Sequence, residues 1–264
     1  MSLRRWITEP ELLGVDLEDS ERIRIHAQIL ARKPMLRGVF EEFYHLFMKI
    51  DADYFGDTPG KKVELGAGVS LFKKYYPEVY VTDVVPAPHL DAVVDAERMP
   101  FAEGSVRVLF GQSFFHHLSD PEKFFREASR VLRSGGGCVL LEPYYGPVAT
   151  QFYKKLHATE TFDKSDQWGS SDRGAMLGAN QALSYIVFKR DREKFLRQFP
   201  EFEMVYEKPL ASFPRYFFSG GLNFHPVLPN LAIGPLKFLE SFLTPLLPWV
   251  ALYQMVAFRK KKTA

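Results

Sequence analysis

The first part of the chain carries apolar residues at helical spacing. Between residues 20 and 50 two such runs are separated by Pro34, which predicts two helices. The second run begins near Met35 and repeats an apolar residue at every third or fourth position. A turn follows at Asp57-Thr58-Pro59-Gly60. We therefore assign residues 1–58 to an N-terminal helical segment that caps the rest of the protein.

Short β-rich runs then alternate with helical stretches. We expect strands near 62–65, 79–83, 91–95, 106–110, 138–142, 202–207 and 251–258. Such alternation is typical of a parallel sheet with helices on both faces. The predicted fold is α/β and Rossmann-like, with a seven-stranded, mostly parallel sheet between helices, over residues 59–264. An insertion at about 211–250, rich in Pro, Phe and Leu, should complete the cap with the N-terminal helices.

Composition and charge exclude several classes of protein. The chain has 264 residues with 34 Lys and Arg against 32 Asp and Glu, and 46% of its residues are hydrophobic. A disordered chain and a strongly basic nucleic-acid binder are therefore excluded. The single cysteine, Cys138, cannot form an internal disulfide, which favours a reducing, cytoplasmic setting. The basic run at 259–262 is expected to be a solvated end.

Part of the C-terminal region has the composition of a membrane anchor. Residues 241–258 carry no charge and the basic run follows directly, as it would beside a membrane anchor. Pro245, Pro248 and Gln254 interrupt this stretch and argue against a spanning helix. We expect a buried strand there, and contact of the C-terminal region with a membrane surface stays open.

A glycine-containing loop follows the first predicted strand. Its sequence is Glu64-Leu65-Gly66-Ala67-Gly68, and the glycines allow a tight turn and a close approach of backbone to ligand. Asp83 ends the next strand, at the distance where a carboxylate can accept hydrogen bonds from ribose hydroxyls. This arrangement predicts a nucleoside cofactor.

Two residues discriminate between nucleoside cofactors. The dinucleotide fingerprint G-x-G-x-x-G would need a third glycine where this chain has Leu71. Glu64 would repel a pyrophosphate, whereas it would attract a cationic sulfonium or amino group. The sequence thus favours S-adenosylmethionine over NAD. An NAD-dependent oxidoreductase on the same sheet is the alternative.

Three later motifs complete a family pattern. They are Val94–Phe101, Phe115–Pro121 and Arg130–Gly136, and they follow the glycine loop and Asp83 in order. Together they resemble a class I S-adenosylmethionine-dependent methyltransferase of the small-molecule, type 11-like kind. The resemblance covers about 62–143 and implies methyl transfer from S-adenosylmethionine, with S-adenosylhomocysteine as product.

The resemblance also implies which residues hold the cofactor. Glu64 and the glycine loop would line its methionine part, Asp83 its ribose, and Asp95 its adenine amino group. The full implied set is Glu64, Gly66, Ala67, Gly68, Asp83, Val84, Asp95, Ala96, Gln112 and Ser113.

Two adjacent histidines are the candidates for catalysis. A hydroxyl acceptor would need a base, and His117, ahead of His116 by motif position, could take its proton. Family members often carry a histidine here whatever their acceptor, so a structural role is the alternative. The remaining histidines show no metal-ligand spacing, and no metal site is predicted.

The acceptor is less defined. Gly111-Gln112-Ser113-Phe114 differs from the N-P-P-Y-type segment of enzymes that methylate nucleic acids, and the chain has no basic stripe, so nucleic acid is disfavoured. Aromatic residues of the insertion would suit an apolar, lipid-linked or glycan-linked small molecule, or equally a dimer interface: Phe213, Tyr216, Phe217, Phe218 and Trp249. A non-catalytic cofactor-binding or membrane-surface protein is a further alternative.

Overall fold

One seven-stranded sheet organises the protein. The computed structural model describes residues 7–15, 20–156, 160–169 and 179–262. The strands are β1 Lys61–Leu65, β2 Val79–Asp83, β3 Ala92–Val93, β4 Val106–Gln112, β5 Leu132–Pro143, β6 Phe202–Pro209 and β7 Tyr253–Lys260. Their order is β3-β2-β1-β4-β5-β7-β6, with β7 antiparallel to both of its neighbours and the other pairs parallel. The predicted Rossmann-like fold is confirmed.

Helices connect and cover these strands. The α-helices are α1 Ser20–Arg32, α2 Pro34–Phe55, α3 Phe72–Tyr75, α4 Pro121–Val131, α5 Pro147–Lys155, α6 Leu183–Tyr185, α7 Arg192–Gln198, α8 Phe213–Phe218, α9 Ile233–Phe242 and α10 Leu247–Val250. Single 3₁₀ turns lie at Pro10–Leu12, Phe115–His117, Asn230–Ala232 and Thr244–Leu246, and a π-helical turn at Ile186–Arg190.

Both faces of the sheet are buried. Successive residues of a strand point to opposite faces, so Val108 packs on one side and Leu109 on the other. α4 and α7 cover the face that holds Leu109. α2 covers the opposite face, where the Phe47 ring lies 5.4 Å from that of Phe110. Burial on both faces explains why β4 and the second half of β5 are largely apolar.

The two N-terminal helices have different positions. α2 is a layer of the core itself, with ten buried side chains. α1 instead packs through Ile25 and Ile29 on Leu12, and its Arg22 guanidinium donates to the Asn223 side-chain oxygen of the insertion at 3.2 Å. Of the predicted N-terminal segment, therefore, the part before Pro34 joins the insertion, whereas α2 supports the sheet.

The start of β5 corrects the expected strand at 138–142. The strand begins at Leu132, directly after α4, and includes three glycines, residues 135–137, that precede the expected strand. The pairing with β4 shifts register between Val106 and Val108, so the glycines form an irregular part of the strand. A Cβ at Gly137 would collide with the Phe258 carbonyl oxygen.

The first half of the basic run differs from the expected solvated end, whereas Lys261 and Lys262 are exposed. β7 continues to Lys260, whose ammonium donates to the carbonyl oxygens of Ser129 at 2.6 Å and Leu132 at 3.0 Å. Tyr253 pairs with Pro143 at the carboxyl edge of β5, so the run lies at the opposite edge of the sheet from the insertion. In the described ranges no helix has the length and apolarity needed to cross a bilayer.

Candidate active site

The site lies where the strand order reverses. β1 pairs with β2 on one side and β4 on the other, so their carboxyl ends form a crevice of the kind that binds ligands in open α/β sheets. Gly66 and Gly68 follow β1 with φ of 61° and 53°, in the left-handed region that glycine adopts freely. A Cβ at Gly66 would come within 2.8 Å of the Phe114 ring, whereas one at Gly68 would meet open space.

Asp83 ties the end of β2 to this loop. Its Oδ2 accepts from the Gly68 amide at 2.8 Å and its Oδ1 from the Val85 amide at 2.9 Å. A carboxylate has about four acceptor positions, so capacity for hydroxyl donors remains. Val84, beside it, is 59% exposed, which leaves an apolar side chain at the mouth of the crevice.

Asp95 and Ala96 lie near the same strand end. The Val94 amide donates to the Asp83 carbonyl oxygen at 2.9 Å, which holds this segment beside β2. Ala96 is buried, and the exposed Asp95 accepts from the Glu97 amide at 2.8 Å. The predicted adenine-side residues are therefore brought together with Asp83.

Glu64 is the most unusual residue of the site. Its side chain is 1% exposed, and neither carboxyl oxygen accepts a hydrogen bond of good geometry from the part of the chain that the structure describes. Burial raises its pKa to about 8. A buried carboxyl without donors is costly, so the position is suited to a cationic ligand group.

The end of β4 contributes two further residues. Gln112 has its side-chain oxygen buried and, among the described residues, without a donor. Ser113 has φ of 50°, and its amide donates to the Leu141 carbonyl oxygen at 2.7 Å. A non-glycine residue in this conformation costs about 1 kcal/mol or more, which is typical of functional sites.

Glu142 holds the segment that follows β4 through hydrogen bonds. Its Oε1 accepts from the amides of Phe114 at 3.0 Å and Phe115 at 2.8 Å, and its Oε2 lies 2.6 Å from Nδ1 of His116. Nε2 of His116 lies 3.4 Å from Oε2 of Glu160. Burial alone would disfavour the charged ring, but the two carboxylates outweigh it and raise the pKa of His116 to about 10.

A cavity of about 620 Å³ opens between the N-terminal segment, α5 and the insertion. It is lined largely by apolar residues, among them Ile7, Phe152, Phe217 and Leu222. Its wall includes Tyr216, whose ring lies 4.9 Å from that of Tyr253.

Packed side chains join the cavity wall to the end of β4. Tyr253 lies within hydrogen-bonding reach of the Ser113 hydroxyl, so a short path of contacts runs from Ser113 to Tyr216 in the cavity wall. The packed rings of Tyr216 and Tyr253 thus lie between the cavity and Ser113.

Comparison with known proteins agrees with this geometry. The family model of the methyltransferase domain matches residues 63–140, from β1 to β5. These residues belong to the methyltransferase domain family. The resemblance drawn from the motifs is confirmed over this range, which contains every predicted cofactor residue.

Two curated relatives share this methyltransferase segment. Sarcosine/dimethylglycine N-methyltransferase of Halorhodospira halochloris is 46% identical over 57 residues, 21% of this chain and 20% of that protein. The uncharacterized methyltransferase YcgJ of Bacillus subtilis strain 168 is 33% identical over 92 residues, 34% of this chain and 36% of that protein. The matches thus span between a fifth and about a third of these relatives.

A solved structure extends the likeness of fold. Geranyl diphosphate C-methyltransferase of Streptomyces coelicolor A3(2), solved with Mg²⁺, geranyl diphosphate and S-adenosyl-L-homocysteine, aligns with a TM-score of 0.50 at 15% identity. The alignment covers 96% of this chain and 87% of that one. The similarity therefore includes the N-terminal helices and the insertion around the methyltransferase domain.

The structure brings some of the predicted site residues together and leaves others apart. The cofactor set surrounds the crevice, and His116 is held between two carboxylates, which suits positioning better than proton transfer. His117 lies beside it, with ring centroids 4.3 Å apart, and remains the candidate base. Of the aromatic residues predicted for the acceptor, Tyr216 and Phe217 line the cavity, whereas Trp249 is 55% exposed.

Several residues of the site could not be predicted from the sequence. Glu160 and Asn223 lie far along the chain from the motifs, and no spacing rule connects them. Glu142 ends the strand expected at 138–142, and its hydrogen bonds to the Phe114 and Phe115 amides depend on the pairing of β4 with β5. Such contacts follow from tertiary structure, so the sequence carried no local signal for them.

Proposed function

We propose that the chain transfers a methyl group from S-adenosylmethionine to a small, largely apolar molecule. The observation that carries the proposal is Glu64, a buried carboxyl beside the glycine loop that accepts no hydrogen bond of good geometry from the described residues. A sulfonium or amino cation would compensate it, whereas a pyrophosphate would not. The absence of a glycine at Leu71, where α3 is about to begin, supports the same choice over NAD.

The residues of the crevice would divide the cofactor among them. Glu64 and the glycine loop would hold its methionine part, Asp83 its ribose, and Asp95 with Val84 its adenine. Gln112 and Ser113 would border the sulfur. The bound cofactor supplies an electrophilic methyl group, so the protein mainly has to position the acceptor in line with it.

The cavity supports an apolar acceptor. Its lining is mainly aromatic and aliphatic, which would bury the body of a small molecule. His117 would take the proton if the reacting group is a hydroxyl. A lipid-linked or glycan-linked acceptor and a cytoplasmic location belong to the same proposal.

Calorimetry with S-adenosylmethionine, S-adenosylhomocysteine and NAD tests the cofactor. We expect the first two to bind and NAD to give no signal. Asp83→Asn should weaken both affinities by about tenfold or more, because the ribose loses a charged acceptor. Asp53→Asn is the matched control, since Asp53 pairs with Lys49 on the exposed side of α2. Binding of NAD alone, or equal affinity in both variants, would refute the cofactor assignment.

A further inference from the structure

Three metal-ligating side chains meet beyond the end of β4. One ligand atom from each of His116, His117 and Glu160 lies within 4.8 Å of the other two. The two histidines share the 3₁₀ turn Phe115–His117, whereas Glu160 comes from a distant part of the chain. The tertiary structure, not a sequence motif, brings them together.

The first of these histidines is oriented as metal-bound histidines are. Nδ1 of His116 lies 2.6 Å from the Glu142 carboxylate, which directs the other ring nitrogen, Nε2, away from Glu142. Nε2 lies 3.4 Å from Oε2 of Glu160, on the side of the cluster. Metal-ligating histidines almost always donate their second ring nitrogen to a carboxylate or carbonyl, because this fixes the ring and its tautomer.

The support behind this pair is rigid. Glu142 is fully buried at the end of β5, and its other oxygen is held by the amides of Phe114 and Phe115. His116 is 4% exposed. The cluster is thus built on the sheet with its supporting hydrogen bonds already made, as a preorganised site requires.

We propose that His116, His117 and Glu160 bind a divalent transition-metal ion. Two imidazole nitrogens and a carboxylate suit Zn²⁺ and Co²⁺ better than Mg²⁺ or Ca²⁺, which prefer oxygen ligands. Three protein ligands would leave a coordination position for water or for a ligand oxygen. The carboxylates of Glu142 and Glu160 on either side of His116 would offset the charge of the ion.

The site lies close to the acceptor cavity. The charge of Glu160 acts on Tyr216, which lines the cavity, and on Arg22, whose guanidinium is stabilised by it. Arg22 and the Nε2 proton of His116 would therefore compete with a metal for this site, and the proton would be released on binding. The proposal stands on the ligand geometry and does not depend on methyl transfer. With a metal bound, His117 would be a ligand and not the base.

Titration of the full chain with Co²⁺ tests the site. After dialysis against a chelator we expect one equivalent to bind, with visible d–d absorption. His117→Gln and Glu160→Gln should each weaken binding by about tenfold or more, because each removes a ligand. His89→Gln is the matched control, since His89 is an exposed histidine outside the cluster. A near-ultraviolet circular dichroism spectrum would verify that each variant is folded.

Two results would overturn the proposal. One is a wild-type chain that gives no Co²⁺ absorption, which would leave His116 as the cation between two carboxylates. The other is unchanged Co²⁺ affinity in folded His117→Gln and Glu160→Gln. S-adenosylmethionine binding measured on the same samples separates this proposal from the cofactor assignment, because the cofactor residues are not altered.

Discussion

At the scale of single residues, two buried carboxyl groups of the site differ in their surroundings. Glu142 has hydrogen-bond donors, whereas Glu64 accepts no hydrogen bond of good geometry within the described ranges. Glu142 accepts two amide hydrogen bonds and faces an imidazole, so its burial is compensated. Glu64 is as deeply buried, with the Ser70 side chain and the charge of Asp83 nearby. This difference makes Glu64 responsive to both pH and ligand.

The raised pKa of Glu64 predicts a pH-dependent stability. The pKa of the folded carboxyl is about 8, above its ordinary value of 4.5. The stabilisation that the protonated carboxyl contributes to the folded state is therefore complete below pH 4.5. That contribution is lost as pH rises through 8. Relative to Glu64→Gln, the ligand-free wild type should therefore lose stability between pH 5 and about 8.5, by a few kcal/mol. Urea unfolding at both pH values measures this difference.

Saturating S-adenosylmethionine is the control for this prediction. A cation beside Glu64 would favour the carboxylate, so the pH-dependent difference between wild type and Glu64→Gln should shrink when the ligand is bound. A difference between the two proteins that stays constant with pH in the ligand-free state would contradict the prediction.

The sequence identified the residues that act through local motifs. Glu64 and Asp83 lie at the ends of β1 and β2, and Gly66 and Gly68 follow β1, so their positions followed from the strands. The pairing of His116 with Glu142 and Glu160 did not, because it joins side chains from separate segments. Non-local contacts of this kind produce no periodic pattern in the sequence.

At the scale of elements, the strands were predicted well where both faces are buried. β1, β2 and β4 begin within one residue of the expected positions, because their apolar runs are bounded by turns. β5 begins earlier than expected, since Gly135-Gly136-Gly137 resembles a turn in sequence but lies within a strand. Close approach of neighbouring groups, which only the fold defines, explains these glycines.

Gly137→Ala should be strongly destabilising. The added methyl group would collide with the Phe258 carbonyl oxygen on β7 and with the Phe55 ring of α2. We expect the free energy of unfolding to fall by about 1–3 kcal/mol, as for other overpacked cores. Urea denaturation measures the change.

Gly38→Ala is the matched control for that variant. Gly38 lies inside α2, and a Cβ there would meet nothing within 4 Å. Alanine is the better helix former, so stability should rise by about 0.5–1 kcal/mol. Equal effects of the two substitutions would contradict the steric explanation.

At the scale of the whole molecule, the family match and the cavity involve different parts of the chain. The family model covers residues 63–140, which contain every residue proposed to bind the cofactor. The cavity is lined instead by residues before β1 and after β5. Acceptor choice should therefore depend on parts of the chain outside the methyltransferase match.

A buried ion network joins the insertion to the core. Arg215 of α8 donates to Glu240 of α9 at 2.7 Å and to Glu42 of α2 at 3.0 Å. Arg215→Met would leave Glu240 buried without its cation, at a cost of about 3–5 kcal/mol. We expect faster chymotrypsin cleavage within the insertion, with affinity for S-adenosylmethionine changed less than about twofold.

Lys237→Met provides the comparison. Lys237 also pairs with Glu42, at 3.0 Å, but its side chain is 65% exposed. An exposed pair of this kind contributes about 1 kcal/mol at most, so cleavage should stay at the wild-type rate. Loss of cofactor affinity in Arg215→Met in step with cleavage would show that the two regions are not separable.

The position of β7 has a consequence for synthesis on the ribosome. β7 lies between β5 and β6, yet it follows both of them in sequence, with the whole insertion in between. While the insertion is being translated, β5 has an unpaired edge and β6 has no neighbour. Such edges are templates for association with other chains. The nascent protein should therefore depend most on chaperones in the interval before residues 253–260 emerge.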